Sequence, residues 1–89
     1  MKELEDLTEI EKAVLLACCD ANNFSLGSHV PIEAIKRRIG GIEGKNKAKY
    51  INNAITKLLS NGFIIKKPTK NQTTYQLSKK GLEACNKLK

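Results

Sequence analysis

Apolar positions along the chain recur at helical spacing in four stretches and alternate in two short ones. Thr8-Glu9-Ile10-Glu11 reads as a capping box, with the threonine oxygen accepting from the Glu11 amide and the Glu11 carboxylate reaching back to the Thr8 amide. Behind it Ile10, Ala13, Val14, Ala17, Cys18 and Ala21 predict a helix over 9–22 with that set facing inward; Asp20, Asn22 and Asn23 weaken and end it. Leu4 and Leu7 extend this helix backwards or form a docking arm over residues 1–7. Phe24 to Val30 reads as a turn, broken at Gly27, followed by a short extended piece. Pro31 suits the first turn of a helix, and Ile32, Ile35 and Ile39 then predict a second amphipathic helix over 31–39, stopped by Gly40-Gly41.

Ile42-Glu43-Gly44 bridges to the longest regular segment, about 45–61. At 100° per residue, Ala48, Ile51, Ala54, Ile55, Leu58 and Leu59 share one face, while Lys49, Asn53, Thr56 and Ser60 lie opposite, flanked by Lys45, Asn46, Asn52 and Lys57. Asn61-Gly62 supplies the C-terminal cap. Phe63-Ile64-Ile65-Lys66-Lys67 is rich in strand formers, and Thr74-Tyr75-Gln76-Leu77 alternates as a strand does. The polar stretch between them predicts a hairpin over about 63–77 with a mobile basic tip. Ser78 caps a final helix in which Leu82, Cys85 and Leu88 face inward. Internal repeats and long linkers are absent from the sequence, so residues 1–89 read as one domain.

The predicted class is α+β, mainly α: helix, short strand, helix, helix, β-hairpin, C-terminal helix. This order resembles the winged helix-turn-helix DNA-binding domain of small prokaryotic and archaeal regulators. The resemblance is carried by "VPIEAIKRRIG", by "NKAKYINNAITKLLSNGFIIKK" running from the second helix of the motif into the wing, and by "TYQLSKKGLEACNKL" as returning strand and closing helix. The stretch from Gly40 to about Lys45 is longer than the usual turn of the motif.

Charge sharpens the picture. Residues 1–34 carry two lysines against seven acids, a net −5, whereas residues 35–89 carry fourteen Lys and Arg against two acids, a net +12. Such a clustered positive field attracts polyanions, although a solvated lysine-rich surface would produce the same count. The resemblance implies a helix in the major groove and a wing on backbone or minor groove. On that reading Asn46, Lys49 and Asn53 are candidate base readers, with Asn52 and Thr56 at the margin; asparagine offers adenine a donor and an acceptor together, and lysine donates to guanine. Lys45, Lys57, Lys36, Arg37 and Arg38 suit phosphate contacts, as do Lys66, Lys67, Lys70 and Asn71 on the wing. The expected partner is duplex DNA, and the expected role is transcriptional regulation, specific or general. Regulators of this kind act as two-fold dimers, which points to Leu4, Leu7, Leu82 and Leu88 as pairing surfaces. An interaction or RNA-associated assembly module on the same fold is the alternative.

Other chemistries find little support. Four aromatic residues, Phe24, Tyr50, Phe63 and Tyr75, are too few for a single-strand stacking platform. His29 is the sole histidine, so neither a histidine metal cluster nor a Ser-His-Asp set assembles, and a Cys18/Cys85/His29 zinc site has irregular spacing. Gly40-Gly41-Ile42-Glu43-Gly44-Lys45 lacks the spacing of a phosphate loop. No enzyme, cofactor or metal is expected. The acidic start lacks the layout of a secretory signal, and no apolar run approaches the ~20 residues of a membrane span. Three cysteines without a C-x-x-C read as free, buried thiols, with an intermolecular disulfide or a redox-sensing Cys18 or Cys19 as the alternatives; a reducing cytoplasm is the expected compartment.

Overall fold

The computed structural model describes residues 1–39 and 47–89. The Gly40-Gly41 stop, the Ile42–Gly44 bridge and the expected helix start at 45 and 46 lie outside the described residues. Among the described residues a 3-10 turn at Leu4–Asp6 leads into α1 (Glu9–Ala21), β1 (His29–Pro31), α2 (Ile32–Lys36), α3 (Lys47–Ser60), β2 (Ile64–Pro68), β3 (Thr73–Leu77) and α4 (Lys79–Leu88). The strands form one antiparallel sheet in the order β1-β3-β2, with Val30 opposite Tyr75 and Ile64 opposite Leu77.

The capping box at Thr8 forms as the sequence dictates, with reciprocal bonds of 3.1 and 3.0 Å to Glu11. α1 ends through paired bonds from Phe24 N–H to the Cys19 carbonyl and from Asn23 N–H to the Asp20 carbonyl. Asn23, at φ 54°, takes the left-handed position usually held by glycine. Within the helix Val14, Leu15, Cys18 and Cys19 are fully buried, packed against α3, α4 and α2. Each such aliphatic side chain contributes roughly 1.5–3 kcal/mol by leaving water. Ile10 and Ala13, expected inward, are exposed: α4 covers the Leu15/Cys19 side, which rotates the buried arc away from them. Ala48, expected inward on α3, is exposed as well, while Ile51, Ala54, Ile55 and Leu58 are buried.

Pro31 is not in a helical turn. It closes β1 opposite Thr74 and stands as N-cap of α2 with ψ 162°, a place that suits a residue without an amide proton on an edge strand. α2 is correspondingly shorter than the expected 31–39. After Lys36 the chain tightens, with Arg38 and Ile39 amides donating to carbonyls three residues back.

The α3–β2 joint is tied from several sides. Phe63 N–H donates to the Leu58 carbonyl and Gly62 N–H to Leu59, with Gly62 at φ 79°, a left-handed cap that only glycine adopts without strain. Ser78 Oγ contacts the Gly62 and Phe63 carbonyls and accepts from the Gly81 amide at 3.0 Å, capping α4. Gly81 lies so close that a Cβ there would stand 1.9 Å from the Phe63 carbonyl oxygen. Lys80 Nζ donates to the Lys2 carbonyl at 2.7 Å and the Asn61 carbonyl at 2.9 Å, and sits 4.5 Å from the centre of the Phe63 ring. The N-terminal segment is therefore a docked arm. Leu7 is buried, and Leu4, Leu82 and Leu88 pack on the chain's own core. Of the four leucines expected to pair two copies, Leu7 is buried in the chain's own core and the other three are half-buried against it.

The cysteines also depart from expectation. Cys19 and Cys85 form a disulfide joining α1 to α4 across 66 residues of sequence, and Cys18 alone is free. An odd count forbids no single bridge; the pairing follows from which helices meet, which the spacing does not reveal. Cys85 is thereby removed from any zinc set, and the expectation of a reducing compartment loses its ground. A cross-link over so long a loop stabilises by about 4 kcal/mol in the chain-entropy account.

Candidate nucleic-acid interface

The period of α3 places its polar residues where the sequence predicts. With Ile51, Ala54, Ile55 and Leu58 held by α1, the side chains of Lys49, Asn52, Asn53, Thr56 and Lys57 are exposed. Thr56 Oγ1 donates to the Asn52 carbonyl at 3.0 Å and Ser60 Oγ to the Thr56 carbonyl at 2.7 Å, so these hydroxyls are engaged with their own helix. Lys49, Asn52 and Asn53 make no side-chain hydrogen bond among the described residues. Lys45 and Asn46, two of the expected contacts, lie outside the described residues.

The hairpin extends from the same joint. Lys66 stands opposite Tyr75 and Lys67 opposite Thr74, both lysines exposed. Thr74 Oγ1 donates to the Lys67 carbonyl at 2.6 Å and lies 3.0 Å from His29 Nδ1, so all three strands are bonded at this level. The tip carries bonds of its own: the Thr69 amide and hydroxyl donate to the Gln72 carbonyl, each at 2.7 Å, and the Gln72 amide returns to Thr69 Oγ1 at 3.2 Å. Lys70 and Asn71 are thus presented, exposed, at the apex of a closed turn rather than on an untethered loop.

The residues before α3 divide. Arg37 is exposed and Lys36 half-buried. Arg38 turns to α1, its Nε 3.0 Å from Asp20 Oδ2 and its Nη1 donating to the Ala34 carbonyl at 2.9 Å. Its charge is therefore balanced within the chain, a pairing that the sequence pattern does not indicate. Lys47, absent from the expected set, is half-buried with Nζ 3.4 Å from the Ile39 carbonyl.

Every ion pair among the described residues lies away from α3 and the hairpin. Among the described residues the pairs are Lys2–Glu11 at 3.8 Å, Lys12–Glu9 at 3.7 Å, Arg38–Asp20 at 3.0 Å and Lys80–Glu3 at 3.9 Å. All four acids belong to the first twenty residues. Lys49, Lys57, Lys66, Lys67, Lys70 and Arg37 have no such partner among the described residues. The positive field of α3 and the hairpin is accordingly left open to an external anion.

One neighbouring feature escaped the sequence reading. Tyr50 (43 % exposed) and Ile10 (36 % exposed) line a groove of about 170 Å³ between α1 and α3, with Asn53 and Lys57 on its wall. Only the inward assignment of Ile10 hid it. A larger cleft of about 410 Å³ lies beside α1 against Leu16, Ala17 and Phe24, rimmed by the Arg38–Asp20 pair, whose charges satisfy each other.

No helix among the described residues is long and apolar enough to cross a membrane, and none of their His, Cys, Asp and Glu side chains cluster in threes suited to a metal. Cys18 is fully buried, and that burial pushes its thiol from 9.0 up to about 12 against the smaller opposing effect of the Asn22 hydrogen bond. It is a buried core side chain held in its protonated form. No protein-family model, curated protein or solved structure matches this chain.

Proposed function

We propose that the chain binds duplex DNA as a winged helix-turn-helix protein, with α2 and α3 as the helix pair, α3 entering the major groove and the β2–β3 hairpin acting as the wing. The carrying observation is the concentration of exposed cations, Lys49, Lys57, Lys66, Lys67 and Lys70, on α3 and the hairpin, where residues 47–77 hold no acid and no ion pair forms among the described residues. The strand order β1-β3-β2 and the succession of elements support the fold assignment. Lys49, Asn52 and Asn53 supply groove-facing donors and acceptors, while Lys57, Arg37, Lys66, Lys67 and Lys70 supply phosphate contacts. A role in transcription follows from this reading.

Fluorescence anisotropy of a labelled random-sequence duplex, titrated at several salt concentrations, tests it. Five neutralised phosphates give a slope of log K on log salt near about −4.5. Reversing Lys49, Lys67 and Lys70 to Glu together should abolish binding with the circular dichroism spectrum unchanged. Equal affinity of this variant and the parent would sink the proposal. A second reading, an acidic protein partner, draws on the exposed Tyr50 and Ile10 beside Lys57. Absence of duplex binding even at low salt would bring it forward.

A further inference from the structure

The disulfide and the α3–β2 joint are tied to the two ends of one short helix. Cys85, in the second half of α4, is bonded to Cys19 of α1. Ser78, Lys80 and Gly81, at its start, hold the joint: Ser78 and Lys80 bond the Asn61, Gly62 and Phe63 carbonyls, and Gly81 abuts the Phe63 carbonyl. Apart from these ties α4 is held by one face only, with Ala84 and Cys85 buried and Leu82 and Leu88 half-buried against the core. It has ten residues and leaves Lys79, Glu83, Asn86 and Lys87 exposed. Short helices held by a single face are prone to open locally. Here such opening is blocked, because α4 cannot leave α1 while the bond stands.

We propose that the Cys19–Cys85 bond is a redox-controlled latch on α4, and that its oxidation state decides whether the joint between α3 and the hairpin is held in one geometry. Both sulfurs are fully buried, so a reductant reaches them only during brief fraying of the helix end. Two electrons and two protons then pass from a dithiol to the pair, the dithiol closing into its own disulfide, and Cys19 and Cys85 become thiols. Reduced α4 opens as a unit, carrying Ser78 and Lys80 off the Asn61–Phe63 carbonyls. Cys18 stays outside this exchange, since its buried thiol supplies no thiolate near neutral pH.

Amide hydrogen exchange on the oxidised protein and on protein reduced with dithiothreitol tests the latch directly. In the oxidised form the amides of α4 and of 61–65 should exchange with protection within a few-fold of central α1. On reduction they should fall at least about tenfold below α1, whatever α1 itself loses. Parallel losses in α4 and α1, or unfolding of the whole chain on reduction, would overturn the latch and leave a plain structural staple. A Cys85→Ala variant should reproduce the reduced pattern without reductant; protection of α4 equal to that of α1 in this variant would also overturn it. The consequence for nucleic acid rests on the DNA-binding reading: reduced protein should bind duplex about tenfold more weakly. If neither form binds, that reading fails while the exchange data still decide the latch.

Discussion

The joint at Asn61–Phe63 and the outer face formed by α3 and the hairpin are adjacent in sequence and opposite in chemistry. At the joint the polar groups have partners in the chain. Asn61 accepts from the Lys2 amide at 2.8 Å and donates to the Lys57 carbonyl at 2.8 Å, and Lys80 meets two carbonyls and a ring face. On the outer face Lys49, Asn52, Asn53, Lys66 and Lys67 point to solvent and have no ion pair among the described residues. A lysine thus signals nothing by type alone. Lys80 is a strut because carbonyls surround its ammonium group, and Lys49 is a candidate ligand contact because nothing among the described residues does. Substitutions should therefore fall into two groups, one costing stability and one costing binding.

The sharpest break should come at Gly81. An alanine there would drive its methyl into the Phe63 carbonyl oxygen, at 1.9 Å, and backbone cannot rotate aside as a side chain can. Gly81→Ala should cost about 3 kcal/mol or more, read as a shift in the urea midpoint. A loss under about 1 kcal/mol would mean that α4 and the joint are not locked together as described.

A smaller effect comes from the interior beside the disulfide. The unfolded Cys18 thiol ionises near 9.0, whereas burial holds the folded one protonated to about 12. Between those values the native state binds the extra proton, so stability falls as pH rises. The contribution is complete below pH 9 and shrinks by up to about 1.4 kcal/mol per pH unit above it. Between pH 8 and 10 the parent should lose about 1 kcal/mol more than Cys18→Ala in paired thermal melts. Parallel pH curves would show that Cys18 is not desolvated in the folded state.

What was legible beforehand follows the range of the forces involved. The Thr8 and Ser78 caps, the period of α3 and the two hairpin strands are set within a few residues, and all appear close to where local pattern puts them. Pro31 was misread because its helix-starting chemistry is overridden by pairing with Thr74, 43 positions away. Ile10 and Ala13 were misplaced because a helix gripped by three others buries an arc that its own periodicity does not centre. The Arg38–Asp20 pair and the Cys19–Cys85 bond depend on which helices touch, and no spacing rule carries that. The exposure of the outer face was legible for a simpler reason: residues with no partner among the described residues keep the chemistry of their own type.

That last point sets the smallest expected effect on stability. Lys49→Ala combined with Lys70→Ala removes two exposed side chains that form no ion pair among the described residues, so the urea midpoint should move by no more than about 0.5 kcal/mol. The same double variant should lower the magnitude of the salt slope for duplex binding by about 1, the phosphate neutralisation lost with Lys70. A lysine serving only as solvated surface predicts the same stability with an unchanged slope, so the slope alone separates a ligand contact from a solubilising charge. A large loss of stability would instead move Lys49 or Lys70 into the class of Lys80, and the contrast between joint and outer face would no longer hold.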